Sequence, residues 1–128
     1  MTLWGIARSP LMFGGDLATL DPFTRSLLTN ADVIAVNQDG VENKLAYKEK
    51  DLRVWTARTT NSGPSEYIAI LNLGDQPIQQ DLTWASIGIA NPNKPLRDTW
   101  TGTTLPANEG LHIRLNPHAS MLLFSGNH

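Results

Sequence analysis

The spacing of the hydrophobic residues changes part of the way along the chain, near Gly40. Up to Gln38 the apolar positions recur at the spacing of helices that bury one face. From Lys44 onward they recur about every second residue, between Gly- and Pro-rich turn signals, which is the pattern of antiparallel strands. The sequence therefore predicts a helical beginning followed by an all-β part.

The first part of the chain combines a helical stripe with a short apolar run. Residues 3–7 carry the stripe, and this helix has to stop before Pro10, because a proline disfavours the helical conformation of the residue that precedes it. Residues 11–13 are apolar throughout and too few for a helix, which is typical of a parallel strand buried on both faces. Together with the helix that follows, these elements predict a piece of a βα repeat.

Capping signals predict the helices that follow this run. Asp21 and Pro22 together indicate a helix N-terminus with proline in the first turn. Asn30 is expected to end that helix, and Asp32 to cap a further short helical turn.

Short alternating stretches predict the strands of the second part, and Asn61, Ser62, Gly63 and Pro64 predict the hairpin loop between the first two. Many short strands with such turns are typical of an antiparallel β-sandwich. The predicted strands are residues 52–57, 67–73, 78–82, 96–101, 111–115 and 120–124.

Size and charge limit the classes of function. The chain has 128 residues, whereas a complete (β/α)₈ barrel needs about 200 to 250, so any barrel signature here is expected to belong to a fragment. The formal net charge of −2 provides no basic surface for nucleic acid or for an acidic membrane. No apolar stretch approaches the roughly 18 residues of a membrane span. Neither nucleic acid nor a membrane is therefore expected as a partner.

Cysteine and histidine usage argues against a metal or cofactor. The chain has no cysteine, so it has neither disulfides nor thiolate ligands, and its redox compartment stays open. His112, His118 and His128 show no metal-ligand spacing. The N-terminus lacks the basic and apolar regions of a signal peptide, so none is expected within these residues. We expect no metal and no cofactor, and the sequence leaves the localisation unknown.

Three stretches of the chain carry a family likeness. The first, residues 3–17, reads Leu-Trp-Gly-Ile-Ala-Arg-Ser-Pro-Leu-Met-Phe-Gly-Gly-Asp-Leu, and the second, residues 27–39, reads Leu-Leu-Thr-Asn-Ala-Asp-Val-Ile-Ala-Val-Asn-Gln-Asp. The third is Arg-Asp-Thr-Trp-Thr-Gly at 97–102, with Asn-Pro-His-Ala at 116–119. In this order they resemble the last helix-strand-helix passage of the barrel, its closing helix, and the C-terminal domain of glycoside hydrolase family 27, the melibiases.

The resemblance completes the predicted fold class. It implies a mainly β chain, in which an antiparallel C-terminal β-sandwich of Greek-key type is preceded by a helix-strand-helix remnant of a (β/α)₈ barrel. Residues 1–40 are expected to be the last, incomplete βα portion of that barrel, and residues 41–128 the sandwich domain.

The same resemblance implies the activity of a parent enzyme and the absence of its chemistry here. Melibiases are retaining glycosidases that remove α-linked galactose or a related sugar, with a nucleophile and an acid/base aspartate on the fourth and sixth barrel strands. Retaining hydrolysis requires two carboxyl groups about 5 to 5.5 Å apart. The resemblance begins in the seventh helix, after both of those strands, so no residue of this chain is expected to be catalytic and the chain alone is expected to be inactive.

Asp16 is the one acidic residue with a candidate role in an intact barrel. It directly follows the predicted strand of residues 11–13, and the active sites of such barrels lie at the C-terminal ends of the strands. A contact with a sugar hydroxyl in an intact barrel is therefore one interpretation. The other is a cap or turn former beside Gly14 and Gly15.

The tryptophans raise an alternative function, a stand-alone carbohydrate-binding or protein-interaction module. Trp55 and Trp100 lie in predicted strands, where packing in the core or between domains is the favoured interpretation. Trp84 is the least constrained and is the candidate for an exposed sugar-stacking face. The module hypothesis therefore rests on Trp84.

The fragment interpretation also predicts self-association. Leu3, Trp4 and the apolar residues 11–13 would lack the barrel elements that normally cover them. Exposed apolar surface and an open strand edge promote association between chains. We expect the chain to dimerise, or to swap its N-terminal segment with a second copy.

Overall fold

The computed structural model of the chain describes residues 1–59, 65–90, 92–106 and 109–126. The three α-helices of these ranges come first, and all described strands follow Asp39. The helices are α1 (Thr2–Ile6), α2 (Pro22–Leu28) and α3 (Ala31–Asp39), with short 3₁₀ helices at Leu17–Thr19 and Ala85–Ile87. The strands are β1 (Gly40–Glu49), β2 (Leu52–Thr59), β3 (Ser65–Asn72), β4 (Ile78–Thr83), β5 (Leu96–Asp98), β6 (Thr104–Leu105), β7 (Gly110–Leu115) and β8 (Ser120–Phe124).

The strands form two antiparallel sheets. The larger sheet has the order β1-β2-β3-β8-β5-β6, and the smaller one pairs β4 with β7. Every recorded strand pair is antiparallel. The prediction of a mainly β chain with an antiparallel sandwich after short helices is confirmed.

The space between the two sheets is filled by the first of two hydrophobic clusters. Ile68 and Ile70 project into it from β3, and Leu82 and Ile113 project from the smaller sheet. Trp84 and Ile87 close the cluster at the end of β4. Two inner faces that interdigitate in this way are the usual construction of a sandwich core.

The second cluster lies on the opposite face of the larger sheet, beneath the helices. Residues Tyr67, Ala69 and Leu71 of β3 and Leu122 and Phe124 of β8 provide the sheet side of this cluster. The rings of Tyr67 and Phe124 stack with their centroids 4.7 Å apart. Strand β3 is therefore buried on both faces, which explains why its sequence is almost continuously apolar.

Helices α1 and α3 provide the other half of this second cluster. Ile6, Val33 and Val36 are fully buried against the sheet. Gly5 allows the two helices to approach closely, since a Cβ at this position would lie 3.1 Å from Cγ1 of Val33. The larger sheet is thus covered by strands on one face and by helices on the other.

Three predictions about the first part of the chain were wrong. Residues 11–13 form an irregular extended segment and not a strand, because no described strand lies beside them to complete a hydrogen-bonded ladder. Asn30, predicted to end α2, is instead the N-cap of α3, and its side chain accepts hydrogen bonds from the amides of Asp32 and Val33. Asp32 therefore lies inside the first turn of α3 and does not cap it. The predicted cap at Asp21 is confirmed.

The strand predictions were mostly confirmed, with two strands missed. The segment predicted at 96–101 is strand only over Leu96–Asp98. Strand β1 was missed because its pairing with β2 is interrupted twice by register shifts, which break the alternation of buried and exposed positions. Strand β6 was missed because it is only two residues long. The predicted hairpin loop, Asn61 to Pro64, lies outside the described residues.

Candidate functional site on the N-terminal segment

Polar contacts fix the first helix to the sandwich. The indole Nε1 of Trp100 donates a hydrogen bond to Oγ1 of Thr2 at 2.8 Å, and the same oxygen lies 2.8 Å from Oγ of Ser120. Thr2 is itself buried. Nδ2 of Asn43 also donates to the backbone oxygen of Ile6 at 2.6 Å. These bonds join residues that are up to 118 positions apart in the chain.

Helix α3 is tied to strand β5 and to the turn that follows it. The guanidinium of Arg97 donates to Oδ2 of Asp32 at 2.8 Å, and this hydrogen bond raises the pKa of Arg97. Nδ2 of Asn30 donates to the backbone oxygen of Thr99 at 3.2 Å, while its side-chain oxygen caps the helix. Sequence reasoning missed both bridges, since no local pattern relates residues more than 60 positions apart.

The N-terminal segment, residues 1–39, has an apolar groove of about 290 Å³ that is lined by residues between Met1 and Thr29. None of the described residues that line it has a charged side chain. Trp4 holds the irregular segment in place, because its Nε1 donates to the backbone oxygen of Pro10 at 2.9 Å. Phe23 projects beside a second depression, which shares Met1 with this groove. We call the following exposed side chains the outer apolar surface: Trp4, Leu11, Met12, Phe13, Leu17 and Phe23.

Asp16 lies on this segment, where it acts as a helix cap. Its Oδ1 accepts a hydrogen bond from the amide of Ala18 at 2.9 Å, at the start of the 3₁₀ helix Leu17–Thr19. The side chain is exposed. Its role toward a sugar stays a prediction for an intact barrel, since in this chain the cap accounts for its geometry.

The predicted exposure of Trp84 was wrong. The residue is only 5% exposed and packs between the two sheets with Leu82 and Ile87. Its indole face is therefore not available for stacking on a sugar. Trp55 and Trp100 pack against the cluster beneath the helices, as expected for core residues. The module alternative loses the residue on which it rested.

The two described histidines each pair with one aspartate on the sandwich surface. Nδ1 of His112 lies 2.7 Å from Oδ1 of Asp81, and Nε2 of His118 lies 2.7 Å from Oδ1 of Asp75. His112 faces solvent, as its alternation predicted. Within the ranges that the structure covers, no three potential ligands are grouped to hold a metal ion. His128 lies outside the described residues.

The pKa values of two glutamates are shifted in opposite directions, for different reasons. Burial raises the pKa of Glu66, although Arg58 Nε, 3.7 Å from Oε1, acts in the opposite direction. Glu49 accepts hydrogen bonds from the Tyr47 hydroxyl at 2.6 Å and from Nε2 of Gln80 at 2.7 Å, and these lower its pKa. Both glutamates lie in strands of the larger sheet, Glu49 in β1 and Glu66 in β3.

Among the described helices, none is long and apolar enough to cross a bilayer.

Comparisons with known proteins agree with this two-part arrangement. Residues 49–124 match the alpha galactosidase C-terminal beta sandwich domain, and residues 1–39 match the family described as alpha galactosidase A. Alpha-galactosidase 2 of Arabidopsis thaliana is 34% identical over 122 residues, covering 92% of this chain and 30% of the relative. The alpha-galactosidase of Coffea arabica is 33% identical over 114 residues, covering 85% of this chain and 29% of the relative.

Solved structures show the same likeness in three dimensions. A family 27 β-L-arabinopyranosidase from Geobacillus stearothermophilus superposes with a TM-score of 0.84 at 36% identity, covering 96% of this chain and 28% of that one. Alpha-galactosidase I of Mortierella vinacea superposes with a TM-score of 0.82 at 26% identity, covering 96% and 33%. The fold is thus that of the C-terminal part of a carbohydrate-cleaving enzyme.

The chain belongs to glycoside hydrolase family 27, the melibiases, and it corresponds to the C-terminal portion of these enzymes. It spans about 30% of the length of the curated relatives that it matches.

Proposed function

We propose that this chain is the supporting C-terminal part of a retaining glycosidase that acts on α-galactosides or sugars of related configuration, and that it has no hydrolytic activity alone. Its sandwich stabilises the end of the catalytic barrel through residues 1–39. The sugar class follows from the relatives, which include α-galactosidases and a β-L-arabinopyranosidase.

One observation carries the proposal: residues 1–39, which match the alpha galactosidase A family model, are packed as a layer of the sandwich. Helices α1 and α3 share a buried cluster with β3 and β8, and hydrogen bonds from Trp100 and Arg97 hold the two parts together. A barrel that ends in these helices would be braced by the sheet beneath them. Such bracing is a supporting role that needs no catalytic group.

Three of the four acidic residues in residues 1–39 have structural roles, which supports the absence of activity. Asp16 and Asp21 cap helices, and Asp32 pairs with Arg97. Retaining hydrolysis needs one carboxyl group as the nucleophile and a second as the acid, placed on either side of the scissile bond. By the family resemblance, both groups belong to barrel strands that precede the matched residues.

A direct assay tests this proposal. The purified 128-residue chain is incubated with nitrophenyl glycosides of α-galactose, α-N-acetylgalactosamine and β-L-arabinopyranose, with the whole Coffea arabica enzyme as a positive control on the α-galactoside. We expect no release of nitrophenol above the blank without protein. Turnover that Asp16→Asn abolishes would show that the chain has an active site of its own, and the proposal would be wrong.

A further inference from the structure

A polar cleft of the sandwich, which we call the hairpin cleft, lies between residues 49–52, where β1 turns into β2, and residues 76–80 at the start of β4. Its volume of about 350 Å³ falls within the range of about 300 to 1,000 Å³ of small-molecule sites. None of its described lining residues belongs to residues 1–39, whose helices pack on the other face of the larger sheet. The described walls of this cleft are therefore formed by the sandwich alone.

Hydrogen bonds connect the two walls of the hairpin cleft. Nε2 of Gln80 donates to Oε2 of Glu49 at 2.7 Å and to the hydroxyl oxygen of Tyr47 at 3.0 Å. The amide of Leu73, in the connection that leads to β4, donates to the backbone oxygen of Asp51 at 2.9 Å. A ligand would therefore enter a cleft whose walls are already fixed, which lowers the entropic cost of binding.

Two carboxylates of the cleft are placed as hydrogen-bond acceptors. The bonds from Tyr47 and Gln80 both end on Oε2 of Glu49, and no described residue donates to its Oε1. The same bonds lower the pKa of Glu49, so it is ionised at neutral pH. The carboxylate of Asp51 lies against Gly74, where a Cβ would overlap its Oδ2. Both carboxylates can thus accept hydrogen bonds from the hydroxyls of a ligand.

The remaining lining adds donors and a small apolar surface. The carboxamides of Gln76 and Gln79 can both donate and accept, and the ammonium of Lys50 donates. Pro77 provides an apolar contact for C–H groups. This mixture matches a sugar, because each sugar hydroxyl is both a donor and an acceptor.

We propose that the hairpin cleft is a binding site for a neutral sugar of the galactose type. The choice of sugar rests on the proposed function, whereas binding itself does not depend on whether the chain is active. None of the described lining residues is aromatic, so the affinity comes from hydrogen bonds without stacking, and the Kd is about 1 to 10 mM.

The cleft suits a sugar better than a cation. A calcium ion needs six to eight oxygen ligands at about 2.3 to 2.6 Å, a shell much smaller than this cleft. The ammonium of Lys50 repels a cation, and in the parts of the chain that the structure describes no three acidic or histidine side chains group around one point.

Titration of the ¹⁵N-labelled 128-residue chain with melibiose, up to about 100 mM, tests the proposal by NMR. We expect saturable shifts of the backbone amides of Lys50, Asp51, Gln79 and Gln80. Glu49→Gln should raise the Kd about tenfold, because it removes a charged acceptor, and Gln79→Ala about fivefold. Gln79 is exposed, so its truncation leaves the fold intact. The matched control is Glu42→Gln, the same change in β1 outside the cleft, which should leave the Kd unchanged.

Three results would overturn the proposal. These are shifts that do not saturate, equal shifts with glycerol at the same concentration, or a Kd that neither Glu49→Gln nor Gln79→Ala raises. A cation site would appear as shifts of the same amides with about 1 mM calcium chloride and none with melibiose, which also contradicts the proposal. Free galactose and glucose in the same spectra would contradict only the absence of activity, whereas loss of binding would contradict only this inference.

Discussion

If α1 and α3 are a layer of the sandwich, then truncating a buried side chain in α1 should weaken the whole fold. Ile6 is fully buried beneath α1, and the substitution Ile6→Ala removes three carbon groups from the cluster that contains Val33 and Phe124. The matched control is Leu3→Ala in the same helix, where the leucine is 42% exposed.

The expected cost follows from burial. Each buried carbon group contributes about 0.8 kcal/mol, so the transfer term for Ile6→Ala is about 2.4 kcal/mol. The cavity that remains adds up to about 2 kcal/mol, depending on how far Val33 and Val36 relax into it. We expect the free energy of unfolding to fall by about 3 kcal/mol for Ile6→Ala, and by no more than about 1.4 kcal/mol for Leu3→Ala, whose side chain is already 42% exposed.

Urea unfolding measures both values, monitored by far-ultraviolet circular dichroism and by tryptophan fluorescence at low protein concentration. The two signals should report one transition in the unsubstituted chain, and Ile6→Ala should move that transition to lower urea. If Ile6→Ala left the main transition where it was, residues 1–39 would unfold separately and the layered core would not be the source of stability.

Three further predictions test particular contacts. Gly110→Ala should lower the free energy of unfolding by about 1 to 3 kcal/mol, because a Cβ there would overlap a backbone oxygen of strand β4. The control is Gly14→Ala, where the added Cβ meets open space and the free energy of unfolding should not fall. Urea unfolding midpoints compare the two variants, and equal midpoints would contradict the pairing of β4 with β7. Asn30→Ala should cost about 1 to 2 kcal/mol by loss of the α3 cap, and a change below about 0.3 kcal/mol would contradict that role. Burial raises the pKa of Glu66, so the stabilisation that its neutral form provides is complete below the ordinary value of 4.5 and falls as the pH rises. Glu66→Gln should therefore be more stable than the unsubstituted chain at pH 7 and lose this advantage below pH 4.5; thermal melts at both pH values check the sign.

Local patterns predicted the fold where burial alternates or a cap is adjacent in sequence. Strands β2, β3, β4, β7 and β8 and the cap at Asp21 are of this kind. The edge strand β1 has no such alternation, because its two register shifts move side chains between faces. Residues 11–13 have the composition of a buried strand, but a strand also needs a neighbouring strand to complete its hydrogen bonds. The local sequence does not indicate whether such a neighbour is present.

The candidate site was only partly accessible from the sequence. The exposure of Trp4 and residues 11–13 was predicted from the sequence, whereas the exposure of Leu17 and Phe23 was not. The bridge from Asp32 to Arg97 could not be predicted, because it depends on how the sheet brings distant residues together. The exposure of Trp84 was predicted wrongly for the same reason. The residue directly follows β4 and is buried because it packs with residues of both sheets, which no local sequence pattern indicates.

Because the larger sheet is covered by helices on one face, the junction at residue 40 is a poor point for recombination between family members. An exchange there would place the sheet of one enzyme beneath Ile6 and Val36 from another, and the mismatched volumes would have to be accommodated within a close-packed cluster. A crossover ahead of Thr2 would transfer both halves of the cluster together. The sheet and its helices therefore form one packing unit, and substitutions at Tyr67 or Phe124 are constrained by residues that match a different family model.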